Sequence, residues 1–299
     1  MPAFSPIVLF VYNRPEHTKK TLAHLQQNTL AAQSELFIFS DGPKNEASVA
    51  KVDEVRKTIH QTNGFLSVSI IEQKQNFGLA RSVINGVSKI LETYQQVIVL
   101  EDDLITSSDF LSFMNQALNT YKTEKKIFSV SGYSYPIEPL QHYPFSAYFS
   151  HRGSSWSWGT WGDRWATIDW EVQDREAFIH NKKLQKEFNR TSGSDLSDLL
   201  LRQFNGHIDS WAIRFAYHAF KHKKLHVLAA KNKINNIGHD DSGTHSPKTD
   251  RYNVPTVVES KYSFPDTVEV VPKLKKAIVK FNTKPILARL FRFFFPLKR

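Results

Sequence analysis

The chain has 299 residues, of which 40% are hydrophobic and 23% are charged, a balance typical of a globular protein with a substantial core. It contains no cysteine, which excludes a disulfide scaffold, a cysteine-ligated zinc site and a thiol nucleophile. The formal net charge is +10, but nine of the 39 basic residues and no acidic residue lie in 273–299. The charge is therefore a property of a tail, and nucleic acid is not expected as a partner.

Short apolar runs alternate with helical patterns over the first 130 residues. The runs are rich in Val, Ile and Phe, as strands buried on both faces are. They cover residues 7–12, 36–40, 68–72, 97–100 and 128–131. Helices are predicted over 79–94 and 110–121, the second opened by a capping box of Thr106 and Asp109. Strand–helix alternation predicts an α/β fold with a Rossmann-like, mostly parallel sheet flanked by helices.

The pattern is less regular beyond residue 131. Residues 173–189 and 208–222 are predicted to be helical, and the polar stretch 238–253 is predicted to be a loop. Residues 273–299 combine basic side chains with apolar ones at helical spacing, which predicts an amphipathic helical tail on an anionic membrane surface. The alternative is a terminal helix docked on the body. No long apolar run is present, so we expect a cytoplasmic protein, peripheral to a membrane.

Polar motifs follow four of the predicted strands, where ligands bind in a parallel sheet. The candidate ligand-binding residues at this edge are Asn13, Arg14, Asp41, Asn76, Gly78, Arg81 and the triplet Glu101, Asp102 and Asp103. Gly78 allows close backbone approach at a helix start, which suits a phosphate. Asp41 suits a ribose hydroxyl or a base edge, or it only forms an Asp-Gly-Pro turn. Arg81 either pairs with a phosphate or is an exposed helix residue.

The carboxylate triplet is the most informative motif. Three consecutive carboxylates repel one another unless a cation is present, and hard divalent ions take oxygen ligands together with substrate phosphates. We therefore predict that Glu101 and Asp103 hold Mn²⁺ or Mg²⁺, joined by His245 from the polar loop, and that Asp102 contacts the bound nucleotide. The alternative interpretation is an acidic approach to the helix that begins near Ser108.

Five of the six tryptophans lie within residues 156–170. Aromatic faces pack against sugar rings, so we expect most of these tryptophans in the core and Trp156 and Trp158 against an acceptor. Asp209 opens a predicted helix, and its residue type favours an N-cap over a general base. The chain has no Gly-x-x-x-x-Gly-Lys and no Gly-x-Gly-x-x-Gly motif, which weighs against P-loop ATPases and NAD dehydrogenases.

These motifs resemble those of GT-A glycosyltransferases, in particular family 2-like bacterial surface-polysaccharide transferases and the Golgi N-acetylglucosaminyltransferase I type. The segments that carry the resemblance are 10–15, 40–42, 76–81, 99–104, 156–161, 208–214 and 236–245. The Glu-Asp-Asp-Leu segment 101–104 is the most specific of them. The resemblance implies a nucleotide-sugar donor and a divalent metal, usually Mn²⁺, with Asp103 closest to the metal. It also implies that Asp209 is the catalytic base.

We accordingly expect a nucleotide-sugar-binding half (1–130), an acceptor-binding and catalytic half with an α+β extension (131–260) and a basic tail (261–299). The predicted function is metal-dependent, inverting transfer of a hexosyl or N-acetylhexosaminyl group to a glycan or lipid-linked acceptor, for surface polysaccharide. A UDP-sugar is the favoured donor, held at its nucleoside by Asp41 and Arg14. The alternatives are a sugar nucleotidyltransferase, which would release pyrophosphate, and a non-catalytic membrane or nucleic-acid binder built on the tail.

Overall fold

The computed structural model describes residues 4–240 and 249–283. The strands in this part of the chain are β1 (Ile7–Val11), β2 (Glu35–Ser40), β3 (Ser67–Glu72), β4 (Gln96–Glu101), β5 (Leu104–Thr106), β6 (Ile127–Ser131), β7 (Ala147–Ser150), β8 (Trp158–Trp161), β9 (Leu225–Ala229) and β10 (Ile234–Asn236). The helices are α1 (Pro15–Gln26), α2 (Glu46–His60), α3 (Leu79–Leu91), α4 (Phe110–Thr120), α5 (Gly162–Trp165), α6 (Arg175–His180), α7 (Lys182–Ser192), α8 (Leu196–Phe204), α9 (Trp211–Lys221) and α10 (Pro272–Phe281).

Eight strands form one sheet in the order β3-β2-β1-β4-β8-β6-β9-β7. The first four are parallel to one another, β8 runs antiparallel between β4 and β6, and β9 lies between β6, to which it is parallel, and β7, to which it is antiparallel. The mostly parallel α/β fold is confirmed. Since parallel strands end at one edge, the residues after β1, β2 and β4 meet there. The predicted domain division at residue 130 stays a prediction, and β7, β8 and β9 extend the same sheet beyond it.

Both faces of the sheet are buried because its central strands are continuously apolar. In β1, Ile7, Leu9 and Val11 pack on one face, and Val8 and Phe10 pack on the other. The five predicted strands are confirmed with ends shifted by one residue or none, since a strand without polar alternation needs helices over both faces.

Two helix predictions need correction. The capping box at the start of α4 is wrong, because Thr106 is the last residue of β5 and the Asp109 carboxylate accepts hydrogen bonds from Ser107 (2.6 Å) and Lys233 (2.7 Å) instead. The helix predicted over 173–189 is divided into α6 and α7. Asn181 separates them, and its side chain caps α7 by accepting from the Leu184 N–H.

The apolar side of α10 is docked on the body. Leu274 and Ile278 are 1% and 2% exposed, so this part of the predicted amphipathic stripe faces the core rather than a membrane. The docked-helix alternative holds here, while Lys273, Lys276 and Lys280 remain exposed. The rest of the tail, from residue 284 onward, lies outside the described residues. Within residues 4–240 and 249–283, no helix has both the length and the apolar character needed to cross a bilayer.

Candidate active site

Three carboxylates and one guanidinium form a cluster where β1 and β4 end side by side. Arg14 Nη2 donates to Asp102 Oδ1, and Arg14 Nη1 lies 3.1 Å from Asp103 Oδ2. Asp102 and Asp103 are only 4% and 8% exposed. The Tyr12 N–H also points to Asp102 Oδ2, at 3.4 Å. Arg14 is thus the counter-ion of the triplet. The sequence analysis predicted only that Arg14 holds the nucleoside, and not this ion pair.

The cluster carries more negative than positive charge. Burial raises the pKa of Glu101 well above its usual range, and the neighbouring Asp103 and Asp102 charges raise it further. Burial likewise raises the pKa of Asp102, which Arg14 partly opposes. Both shifts have the cause expected where carboxylates are crowded and desolvated without enough cationic charge. With one guanidinium beside three carboxyl groups, the cluster is formally short of positive charge, which a bound cation would supply.

The partners of each carboxylate show which one is open to a ligand. Glu101 accepts a hydrogen bond from the Trp211 side chain, and Asp102 is paired with Arg14. Asp103 Oδ1 is buried and has no hydrogen-bond partner among the described residues. An unpaired buried carboxylate oxygen fits a hard cation, which prefers oxygen ligands.

The described residues do not by themselves complete a metal site. No group of three or more His, Cys, Asp or Glu side chains in 4–240 and 249–283 is placed to hold an ion together. Asp103 fits as the protein's principal ligand if substrate phosphates and water supply the others, as is common for hard divalent ions. The predicted ligand His245 lies outside the described residues.

Asp41 has a different role from the one expected. Its Oδ1 accepts from the N–H groups of Gly42 and Phe77, and its Oδ2 accepts from the Gly78 N–H and the Asn76 side chain, all at 2.9–3.0 Å. A carboxylate has about four acceptor positions, and protein donors occupy all of them. In the structure Asp41 organises the turn, as the alternative interpretation had it, and its contact with a ribose or base edge stays a prediction.

The turn that Asp41 organises leads into α3. Gly78 adopts φ 78°, a conformation that favours glycine, and no atom lies within 4 Å of the place where its Cβ would be. The start of α3 is therefore open to an approaching group. Arg81 is exposed, with its guanidinium 4.7 Å from the centre of the Phe77 ring, and Asn13 is half-buried directly beside Arg14.

The tryptophans divide between core and surface, as expected, but not at the predicted position. Trp158 is 1% exposed and packs against Trp165 and Trp211, at ring-centre distances of 5.5 and 4.8 Å. In the structure β8 places Trp158 in the core between two helices, and its contact with an acceptor stays a prediction. Trp156 is half-buried, and its ring centre lies 5.3 Å from that of His239.

Asp209 does not cap helix α9. Ser210 is the N-cap of α9, with its Oγ accepting from the Ile213 N–H at 3.4 Å. The Asp209 side chain is 65% exposed and pairs with Arg214 Nη2 at 3.0 Å. Since Trp211 contacts Glu101 two residues later, Asp209 lies close along the chain to the carboxylate cluster.

Two residues of this site were missed from the sequence. Trp211 was treated as part of a helix, and only its tertiary contact with Glu101 shows its role. Gly238 lies over the ion pair: a Cβ there would be 2.3 Å from Asp103 Oδ2 and 2.9 Å from Arg14 Nη1. The available signal was a glycine at the start of a polar loop, which marks close backbone approach without saying to what.

Comparison with known proteins defines the class. The family model for glycosyl transferase family 2 matches residues 7–178, and the chain belongs to this family. The mostly parallel α/β sheet is consistent with a GT-A glycosyltransferase. Among solved structures, the chain is similar to a mannosyltransferase from Pyrobaculum calidifontis in complex with GDP-Man and Mn²⁺, at 9% identity and a TM-score of 0.41, over 74% of this chain and 70% of that chain. No curated protein matches the sequence.

Proposed function

We propose that this chain is a metal-dependent, inverting transferase of a hexosyl or N-acetylhexosaminyl group. The donor is a nucleotide sugar, a UDP-sugar being favoured, and the acceptor is a glycan or lipid-linked glycan of surface polysaccharide. Within family 2, the observation that carries the proposal is the buried Asp103 oxygen that has no partner among the described residues, in a cluster formally short of positive charge. The resemblance to the Golgi N-acetylglucosaminyltransferase I type is part of the same proposal.

In this mechanism Asp103 holds Mn²⁺ or Mg²⁺, Glu101 adds negative charge beside it, and His245 remains a predicted further ligand. The bound ion supplies Lewis-acid stabilisation of the departing diphosphate. The open start of α3 at Gly78 leaves room for the donor phosphates beside a helix N-terminus, and the exposed Arg81 adds positive charge there.

Asp209 is the general base of the proposed reaction. Its carboxylate takes the proton of the acceptor hydroxyl while that oxygen forms a bond to the anomeric carbon. The bond from the anomeric carbon to the diphosphate breaks on the opposite face, and its electron pair leaves with the phosphate oxygen. The Asp209 side chain pairs with Arg214 through Oδ1 but is 65% exposed, which leaves it accessible to an acceptor. Trp156 offers a half-buried aromatic face to the acceptor sugar.

A donor panel tests this function directly. The protein is incubated with UDP-, GDP- and dTDP-sugars, Mn²⁺ and candidate acceptors, and release of nucleoside diphosphate is measured. We expect release with one nucleotide and its loss on chelation of the metal. Pyrophosphate release from a nucleoside triphosphate and a sugar phosphate, without nucleoside diphosphate release in the panel, would instead identify a nucleotidyltransferase.

A variant pair tests the base. Asp209→Asn keeps the size of the side chain and should lower kcat by about 10²–10⁴-fold while nucleotide binding is unchanged. Asp163→Asn, at a 48% exposed carboxylate that pairs with Lys125, is the matched control and should retain wild-type kcat. Near wild-type transfer by Asp209→Asn would contradict the assignment.

Peripheral membrane association is a further part of the proposal. The exposed Lys273, Lys276 and Lys280 of α10 lead into the remaining basic tail, and each basic residue near anionic lipid contributes about 1 kcal/mol. We expect binding to phosphatidylglycerol vesicles that weakens with salt and with the Lys273→Glu/Lys276→Glu pair. The Lys51→Glu/Lys57→Glu pair on α2 is the control. Equal binding by both double variants would contradict a role for α10.

A further inference from the structure

The feature that carries a further inference is the single guanidinium group between two buried carboxylates. Arg14 pairs with Asp102 through Nη2 and with Asp103 through Nη1, and its own side chain is only 21% exposed. The planar fork of arginine makes such a double contact possible, whereas the point charge of a lysine does not reproduce it. Arg14 therefore already stands where the carboxylate cluster needs positive charge.

The two oxygens of Asp103 are in different states. Arg14 Nη1 lies 3.1 Å from Oδ2, while Oδ1 is buried without a partner in the described part of the chain. A cation that binds Oδ1 would share one small carboxylate with the guanidinium. The cation and the guanidinium would then lie against the same carboxylate. Two positive charges so close together repel each other strongly in a site of low dielectric constant.

The backbone at Gly238 limits where Arg14 can go. The missing Cβ of Gly238 would stand 2.9 Å from Arg14 Nη1 and 2.3 Å from Asp103 Oδ2, so the chain packs directly on this ion pair. The guanidinium is held against the carboxylates from that side. It leaves them only when another anion attracts it.

We propose that Arg14 is a resident counter-ion that competes with the divalent cation for Asp103 and is released to the donor diphosphate. The inference rests on the proposed function, in which metal and diphosphate bind together. A diphosphate offers oxygens that match the arginine fork and carries the charge that replaces Asp103. Metal and nucleotide then raise each other's affinity, since each favours the same displaced position of Arg14. The free enzyme binds the metal weakly.

Metal titrations test this without any activity assay. The dissociation constant of Mn²⁺ is measured by electron paramagnetic resonance for the full chain, with and without UDP or GDP. Arg14→Gln should bind Mn²⁺ about tenfold more tightly than the wild type in the absence of nucleotide, because the competing charge is gone. Nucleotide should tighten Mn²⁺ binding more in the wild type than in this variant, because the diphosphate ligates the ion in both but displaces Arg14 only in the wild type. Arg175→Gln, at a 61% exposed arginine of α6, is the control and should match the wild type.

Each result of the Mn²⁺ titrations either supports or overturns the inference about Arg14. Unchanged or weaker Mn²⁺ binding by folded Arg14→Gln overturns the inference, and the proposed function is then unaffected, since the wild type still binds metal. If Arg14→Gln does not fold, Arg14→Met, which keeps much of the apolar stem and removes the charge, gives the answer: tighter Mn²⁺ binding with reduced nucleotide coupling supports competition, and wild-type values overturn it. A wild type that binds no Mn²⁺ even with nucleotide overturns the metal dependence of the proposed function together with this inference.

Discussion

The side chain of Trp211 interacts with the carboxyl group of Glu101 and acts to lower its pKa, so it links the first residue of α9 to the last residue of β4. Asp209 precedes this contact by two residues. The side chain proposed to take the acceptor proton is therefore positioned, through α9, by the same carboxylate triplet that is proposed to hold the metal.

Trp211→Phe should show whether Trp211 positions the start of α9 or only packs in the core. The change removes the hydrogen-bond donor but keeps an aromatic ring in the cluster around Trp158. We expect kcat to fall by about 10–100-fold because the start of α9 loses its attachment to Glu101. The matched control is Trp165→Phe, which loses a 2.9 Å hydrogen bond to Ser88 from the same cluster. Both variants should lose about 1–3 kcal/mol of unfolding free energy in urea. An equal fall of kcat in both would contradict a positioning role.

Gly238→Ala should disturb the carboxylate cluster specifically. Its new methyl group would lie 2.3 Å from Asp103 Oδ2, a distance that forces Asp103 or the loop to move. We expect Mn²⁺ affinity in the presence of nucleotide to fall by about tenfold or more, as for other displaced metal ligands. Gly162→Ala is the control, because its Cβ would meet nothing closer than 3.6 Å. Wild-type Mn²⁺ affinity in Gly238→Ala would show that the loop yields without affecting the site.

The buried ion network of Lys233, Asp109 and Glu259 should contribute strongly to stability. Lys233 Nζ is fully buried and lies 2.7 Å from Asp109 and 3.0 Å from Glu259. Lys233→Met leaves both carboxylates without their buried partner and should cost about 3–5 kcal/mol of unfolding free energy. Lys231→Met, at a 51% exposed lysine 3.1 Å from the same Glu259, should cost no more than about 1 kcal/mol. Equal losses in urea unfolding would contradict this difference.

Stability should fall in mild acid because of two buried histidines. Burial lowers the pKa of His226 to about 3 and that of His218 to about 4. Unfolded histidine titrates near pH 6.5, so below that value the unfolded chain binds protons that the folded chain does not. Each group should then remove about 1.4 kcal/mol of unfolding free energy per pH unit, down to its folded pKa. Above pH 6.5 this contribution is complete and constant.

His226→Gln tests that assignment. Between pH 6.5 and 5 the slope of the unfolding free energy against pH should decrease by about 1.4 kcal/mol per unit relative to the wild type. His180→Gln, at an 80% exposed ring on α6, should leave the slope unchanged. An unaltered slope in His226→Gln would contradict the buried neutral histidine.

The sequence was a good guide to the strands and to where their polar ends meet. Continuous apolar runs identify buried parallel strands, and their carboxyl ends share an edge for purely topological reasons. The hydrogen-bond and ion-pair partners of the residues at that edge could not be predicted from the sequence. Whether Asp41 faces a ligand or four protein donors depends on the turn before α3, and Arg14 meets Asp102 only because β1 and β4 are neighbours.

The second half was harder to predict because its elements are arranged out of chain order. Trp158 and Trp156 are two residues apart, yet one is in the core and the other is half-buried. Residues two apart in a strand lie on the same face, but β8 begins only at Trp158, so Trp156 lies outside the strand and does not follow it into the core. β8 has four residues and is antiparallel to β4, so it left no periodic signal long enough to recognise.

The position of β9 between β6 and β7 has a consequence for biosynthesis. The parallel block β3-β2-β1-β4 has all its strands once Glu101 has left the ribosome, but β6 and β7 await a partner that ends at Ala229. At ribosomal rates of roughly 5–20 residues per second, the interval between β6 and β9 lasts about 5–20 seconds. The edge of β6 that pairs with β9 stays unpaired throughout that time, and the facing edge of β7 joins it once β7 has been made, so the nascent chain exposes unpaired strand edges, a risk for aggregation, until β9 has formed.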